Sequence, residues 1–290
     1  MIRFSAFADE VTDDFKGQVE FLASQKVGSI EIRFVNKKNI LDLTRVEMEE
    51  ARNLLDDHGI GVSAIASPIG KVRLDEPFQL HLDKFKHAIE LTSFFSTSFI
   101  RVFSYYAPAG KHIDHYRNEV LDRMRKKVEL LQGTKIVMVH ENETDIYGYS
   151  AGHCVDLATS INSEHFKLAY DPANFVSGQK ISRNVDVCWP LMKPFVAHVH
   201  VKDWKMSESE AGSIPGEGDG QIEELFVELA KTHYEGFLTI EPHLKSGGKF
   251  GGDTGPELFA QAIRATRALC TKAGLVPAEE MSMKRKGSLR

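Results

Sequence analysis

Short runs rich in β-branched and aromatic residues recur along the chain, and longer stretches with helical apolar spacing separate them. The runs fall at residues 2–8, 29–34, 61–66, 98–103, 135–141, 167–171, 196–201 and 237–241. Several are apolar throughout rather than alternating, as strands buried on both faces are. Between them, Thr12-Asp13-Asp14 opens a helix with Phe15, Val19 and Leu22 on one face. Residues 44–58 carry Val46, Ala51, Leu54 and Leu55 and stop at Gly59. Residues 80–95, 116–131 and 222–233 repeat the pattern, and 256–273 closes the series with Gly274 as a C-cap. Strand–helix alternation predicts parallel strands joined by right-handed crossovers. Eight repeats predict an α/β fold, a single (β/α)₈ barrel over residues 1–275; a doubly wound open sheet is the alternative. Residues 276–290, with Lys284, Arg285 and Lys286, read as a flexible solvated tail.

Composition narrows the picture. A chain of 290 residues suits one such barrel, and 42% hydrophobic residues can fill its core. No run approaches the roughly 18 apolar residues of a membrane span, so a membrane partner is not expected. The apolar N-terminal run is cut at once by Asp9-Glu10, which favours a first strand over a secretory segment. Cys154, Cys188 and Cys270 are odd in number and far apart, so a reducing cytoplasm is expected. The net charge of −5 argues against a nucleic-acid partner.

In a barrel of this kind the active site lies where strands end. Strand five ends in Glu141-Asn142-Glu143, strand six in Asp171-Pro172-Ala173-Asn174, strand seven in His200-Val201-Lys202-Asp203 and strand eight in Glu241-Pro242-His243. Converging carboxylates repel one another and push each other's pKa upward, and a divalent cation removes that conflict. Glu141, Asp171, His200 and Glu241 are therefore the expected metal ligands. Of the pair His198 and His200, one is expected to point inward and the other away, with His200 as the ligand. Three carboxylates and one imidazole suit one divalent ion, Mn²⁺ first, with Mg²⁺, Co²⁺ and Zn²⁺ as the other candidates. Any one of these residues, taken alone, also reads as a helix cap or an ion-pair partner. The coincidence on four successive strands carries the reading.

His-Glu-Asn at 140–142, Tyr-Asp-Pro-Ala-Asn at 170–174, His-Val-Lys-Asp at 200–203, Pro-Gly-Glu-Gly-Asp at 215–219 and Ile-Glu-Pro at 240–242 together resemble the xylose isomerase-like TIM barrels. That superfamily holds sugar and sugar-phosphate isomerases and epimerases, inosose dehydratases and apurinic endonucleases. The resemblance implies one metal on Glu141, Asp171, His200 and Glu241, with Glu141 and Glu241 as the acid/base pair. It also implies a substrate contact at Glu217. Several members carry His where this chain has Asn174, which becomes a candidate substrate contact instead.

The expected function is a metal-dependent sugar or sugar-phosphate isomerase or epimerase. Proton transfer between Glu141, Glu241 and the substrate would pass through a metal-stabilised enediolate. Lys202, His243, Glu31 and Arg33 are further candidate substrate contacts. Lys202 reads equally as a partner of Asp203, and Glu31 and Arg33 as partners of each other. Phe7 and Trp204 are candidate apolar walls. The glycine-rich stretch 246–252 leaves a phosphate site open. An inosose-type dehydratase on the same metal is the alternative. An apurinic endonuclease is disfavoured by Ser67-Pro68 and Ser104-Tyr105, which bring no ligands at the ends of strands three and four. A non-catalytic binding protein would need no four-ligand set. The partner is a small sugar or polyol. Similar barrels are often homo-oligomers, and no sequence feature fixes the state here.

Overall fold

The computed structural model describes residues 1–208, 210–248 and 251–278. Its central sheet comprises β1 (Arg3–Ala6), β2 (Ser29–Ile32), β3 (Gly61–Ala66), β4 (Phe99–Val102), β5 (Val137–Glu141), β6 (Phe166–Tyr170), β7 (Val196–Val201) and β8 (Phe237–Ile240). Their hydrogen-bonded order runs β1-β8-β7-β6-β5-β4-β3-β2, parallel throughout. β1 and β2 lie side by side without a ladder and bring the barrel nearly to closure. The expected (β/α)₈ barrel is the fold observed.

The longer helices are α1 (Phe15–Ser24), α2 (Arg45–Asp57), α3 (Phe78–Phe94), α4 (Arg117–Glu129), α5 (Ala151–Ile161), α6 (Pro172–Gln179), α7 (Ile222–Lys231) and α8 (Pro256–Ala273). The start at α2 is a capping box, with Thr44 and Glu47 exchanging side-chain and backbone bonds. Asp14 caps α1 through the Gly17 N–H, and Gly274 ends α8 with φ 76°. The apolar spacing does not announce α5 and α6. The second is only 8 residues long and begins inside a site motif. Among the described residues no helix is long and apolar enough to cross a membrane.

Strands β2, β7 and β8 do alternate. Ile30, Ile32, Val199, Val201, Leu238 and Ile240 join the apolar core. Glu31, Arg33, His198, His200, Thr239 and Glu241 are buried polar residues at the alternate positions. Residues two apart on a strand share a face. His198 and His200 are therefore both on the interior side, each in reach of Glu31, and the expectation that one would point away is corrected. Ser5 Oγ and Ser63 Oγ bond across the interior at 2.7 Å. His198 Nε2 lies 2.6 Å from Glu31 Oε2 and 3.0 Å from Thr239 Oγ1. The metal-type residues sit at the top.

Residues 276–278 run beside the first strand. Pro277 bridges Ile2, and the Ala278 N–H donates to the Ile2 carbonyl at 2.9 Å. The remainder of the expected tail, 279–290, lies outside the described residues.

Lys127 on α4 is fully buried. Its Nζ lies 4.5 Å from the centroid of the Tyr105 ring and 3.5 Å from Met124 Sδ. Among the described residues it makes no ion pair. Burial, with Arg123 nearby, drives its pKa well below the usual lysine range. The native state thus excludes a proton that the unfolded chain binds below pH about 10.4, and stability is lost over that range. Lys127→Met is expected to stabilise the protein by on the order of 1–3 kcal/mol at pH 7. The gain should shrink as pH rises toward 10.4. Thermal melts at pH 7 and pH 10 check this; an unchanged or lower Tm at pH 7 would refute it.

Candidate functional site

The site is built from local motifs that fold for their own reasons. Asp171 follows β6 and caps α6, accepting the Asn174 N–H at 3.0 Å through Oδ1, with Pro172 in the first helical turn. Its other oxygen, Oδ2, is left over. The Asn142 side chain clamps the Asp171 backbone, donating to its carbonyl at 2.8 Å and accepting its N–H at 2.9 Å. This ties the end of β5 to that of β6. Asn174 donates through Nδ2 to Glu141 Oε1 at 3.1 Å and to the Asn142 carbonyl at 2.9 Å.

Asp203 organises the loop after β7. Its buried carboxylate accepts the backbone N–H groups of Trp204, Gly216, Gly218 and Gly220 at 2.8–2.9 Å. A Cβ at Gly218 would overlap that carboxylate. The Pro-Gly-Glu-Gly-Asp motif therefore serves to wrap backbone around Asp203. Glu217 is exposed and lines none of the cavities described below, so the motif does not bring it to the cluster. Asp203, fully occupied here, is no partner for Lys202.

Glu141, Asp171, His200 and Glu241 converge, with one ligand-type atom from each within 4.8 Å of all the others. His200 Nδ1 lies 3.6 Å from Glu141 Oε1, 3.7 Å from Glu241 Oε2 and 3.9 Å from Asp171 Oδ2. These separations are too long for hydrogen bonds. Asp171 Oδ2, Glu241 Oε2 and His200 Nδ1 are buried without a hydrogen-bond partner. Buried orphans of this kind are costly. Oxygen and nitrogen donors about 2.1 Å from a shared ion would lie roughly 3.0–3.5 Å apart, so the donor set fits a divalent cation.

Each glutamate is anchored by an arginine from another strand end. Arg33 Nη1 holds Glu241 Oε1 at 2.8 Å, and Arg101 Nη1 holds Glu141 Oε2 at 3.2 Å. Burial raises the pKa of both, but the neighbouring cations and imidazoles win. His200 and Arg101 hold Glu141 at about 2, and Lys202, His243 and Arg33 keep Glu241 well below the usual range. Asp171 is pushed up to about 7, first by burial and then by the two glutamates, although Lys202 opposes the shift. Lys202 Nζ is 3.6 Å from Asp171 Oδ2 and 3.7 Å from Glu241 Oε2. Glu31 Oε1 lies 3.5 Å behind His200 Nε2, the position of a carboxylate that orients a metal-binding imidazole. The ring edge of Phe7 packs against His200 at 5.3 Å.

Glu31 and Arg33 do not pair with each other. Arg33 reaches Asp9 at 2.9 Å as well as Glu241. His243 stands 3.3 Å from both Glu10 and Glu241. Burial and Lys202 lower its pKa to about 4, leaving it neutral. Glu10 accepts Thr254 Oγ1 at 2.6 Å and the His243 N–H at 2.8 Å. Its pKa is pushed up to about 8 by burial and then by Glu241. Asp9, Glu10 and Arg101 are not among the residues expected from the sequence, although it carries a signal for each. Asp9 and Glu10 close the first strand as Glu241 closes the eighth, and Arg101 is a charge in the middle of an apolar strand, as Arg33 is.

The glycine-rich stretch after β8 is a hairpin, Ser246–Gly248 against Gly251–Asp253; Lys249 and Phe250 lie outside the described residues. A Cβ at Gly252 would overlap the His243 ring, and one at Gly247 would meet Trp204 at 2.9 Å. Glycine is required here for close packing over the site, whether or not a phosphate binds.

The sequence matches the family of xylose isomerase-like TIM barrels over residues 19–269. The chain belongs to that family. No curated protein matches it significantly. Among solved structures, it is similar to the probable 3-DHS dehydratase AsbF of Bacillus anthracis, at 16% identity and TM-score 0.72, over 91% of this chain and 98% of that one. A xylose isomerase-like TIM barrel protein of Mycobacterium smegmatis in complex with magnesium gives 15%, 0.73, 95% and 97%. D-psicose 3-epimerase of Clostridium cellulolyticum, solved with D-tagatose, gives 14%, 0.67, 94% and 99%. At these identities the likeness is one of fold. Its structural neighbours include epimerases and a probable dehydratase, and this xylose isomerase-like barrel has a buried acidic and histidine cluster able to hold a metal.

Proposed function

We propose that this xylose isomerase-like barrel is a divalent-metal-dependent isomerase or epimerase of a ketose or related keto-sugar. One observation carries the reading. Glu141 and Glu241 are each tied by one oxygen to their own arginine, while free donor atoms of Glu241, Asp171 and His200 face one spot beside Glu141. Glu141, Asp171, His200 and Glu241 would hold the ion, and Mn²⁺ or Mg²⁺ suits an oxygen-rich set. A bound divalent ion would polarise a carbonyl oxygen and stabilise the negative charge that develops on it.

The chain's own groups do the rest. Arg33 and Arg101 fix the two glutamates in direction and favour their ionised forms. One glutamate takes the proton from the carbon beside the carbonyl and later releases it to solvent. The other, on a strand three places round the barrel, draws a proton from solvent as negative charge builds on the substrate and delivers it to the opposite face, inverting the centre. A single carboxylate doing both would interconvert ketose and aldose. Lys202, Asn174 and His243 line the adjoining space and supply hydrogen bonds to substrate oxygens. The same proton removal followed by loss of a β-hydroxyl is a dehydration, and the likeness to a probable dehydratase favours keeping it as the second reading.

Proton NMR of ketoses incubated with the Mn²⁺-loaded protein in D₂O tests this. Deuterium at an inverted or isomerised carbon is expected. A product lighter by one water selects the dehydratase. No exchange with any ketose or keto-sugar would remove the proposal.

A further inference from the structure

The cavity directly over the cluster holds only about 40 Å³ and is bounded by Arg33, Phe34, Lys71, Arg101 and His243. That space admits a few water-sized groups, such as the reacting carbons and their oxygens, but not a whole sugar ring. Through Glu143, Lys202 and His243 it adjoins a second cavity of about 420 Å³, which Trp204 also lines. Through Thr144, Asp145 and Gly178 that one adjoins a third, of about 640 Å³. All three lie beyond the C-terminal ends of the strands. At that shared wall Gly178 packs against Thr144, where an added Cβ would overlap Oγ1. Each outer cavity alone falls within the roughly 300–1,000 Å³ of small-molecule pockets.

The outermost walls decide what belongs there. Tyr106 and Tyr149 bring aromatic surface, and Thr144, Asp145 and Gln179 bring hydrogen-bonding groups. Its cations are poor anion holders. Arg73 is engaged by both oxygens of Asp75 at 2.5–2.9 Å, while Lys111 and His112 are exposed. Aromatic faces beside mixed donors and acceptors match a sugar ring, apolar on its face and hydroxylated on its rim.

We propose that the substrate is a ketose or keto-sugar carrying a second sugar unit, with the reacting ring inward and the second ring in the outermost cavity. This rests on the metal-site reading above. The test is calorimetric titration of the full-length Mn²⁺-loaded protein with D-fructose, D-fructose 6-phosphate and two ketose disaccharides, turanose and lactulose. At least one disaccharide should bind about tenfold or more tightly than fructose. Ala109→Trp, on an exposed loop position at the outermost cavity, should erase that advantage, and fructose, too short to reach it, should keep its affinity. Tyr149→Ala is the second variant and should weaken disaccharide binding alone. Equal or better binding of fructose or its phosphate, or an advantage that survives both variants, overturns the two-unit substrate and leaves the site reading intact. Metal-dependent binding of none of the four would overturn both.

Discussion

Glu241→Gln is expected to lose turnover by about 10²–10⁴-fold or more, with little change in fold. The amide keeps the shape and volume of the carboxylate but takes up no proton, so the general-base contribution disappears. Arg33 retains Asp9 at 2.9 Å and the face of Phe7 at 4.4 Å, so the barrel wall keeps its neighbours. The glutamine oxygen can still meet an ion, though without charge, and turnover must therefore be compared at saturating Mn²⁺. Glu141→Gln should behave alike if two carboxylates share the work. If only one of the two variants is inactive, a one-base isomerisation is indicated. Wild-type turnover in Glu241→Gln at full metal occupancy would remove Glu241 from the chemistry.

The second large effect is on stability. An ion that binds the native state alone stabilises it by about 2.7 kcal/mol at 100 times Kd and about 4.1 kcal/mol at 1,000 times Kd. Adding Mn²⁺ to chelator-stripped protein should therefore raise Tm by several degrees. Asp171 gives this test a direction that no general salt effect copies. Its folded pKa is raised to about 7, above the ordinary carboxylate value, by burial and the neighbouring glutamates. A raised acid contributes stability below its unfolded pKa and loses it as pH climbs through the folded value. At pH 8 the stripped protein bears that cost in full. Asp171→Asn removes it, so the stripped variant should melt at or above the stripped wild type, yet gain little from Mn²⁺. His200→Gln should also lose the metal response. A metal response in Asp171→Asn as large as that of the wild type would place the ion elsewhere.

The strands were legible because a buried parallel strand is a compact run of apolar residues, and all eight runs became barrel strands within a few residues at each end. The four metal-type residues were legible because the fold dictates where strand ends go. The roles of their neighbours were not. Lys202 has Asp203 next to it in sequence, but three backbone N–H groups from a loop 13–17 residues away, with that of Trp204, claim that carboxylate. Glu217 sits in a motif whose glycines, not its glutamate, face the structure. His198 was misplaced by a wrong count of strand faces, since period two puts it beside His200.

What the sequence by itself determined is the alternation of elements, and through it the set of side chains delivered to one rim, because apolar periodicity and strand termini are local properties of the chain. Which of those side chains keep an unsatisfied atom, which are anchored by Arg33 or Arg101, and where the space above them leads were decided by tertiary structure. Those outcomes depend on contacts between residues as far apart as 33 and 241, where burial makes each unpaired donor or acceptor costly enough to dictate its partner.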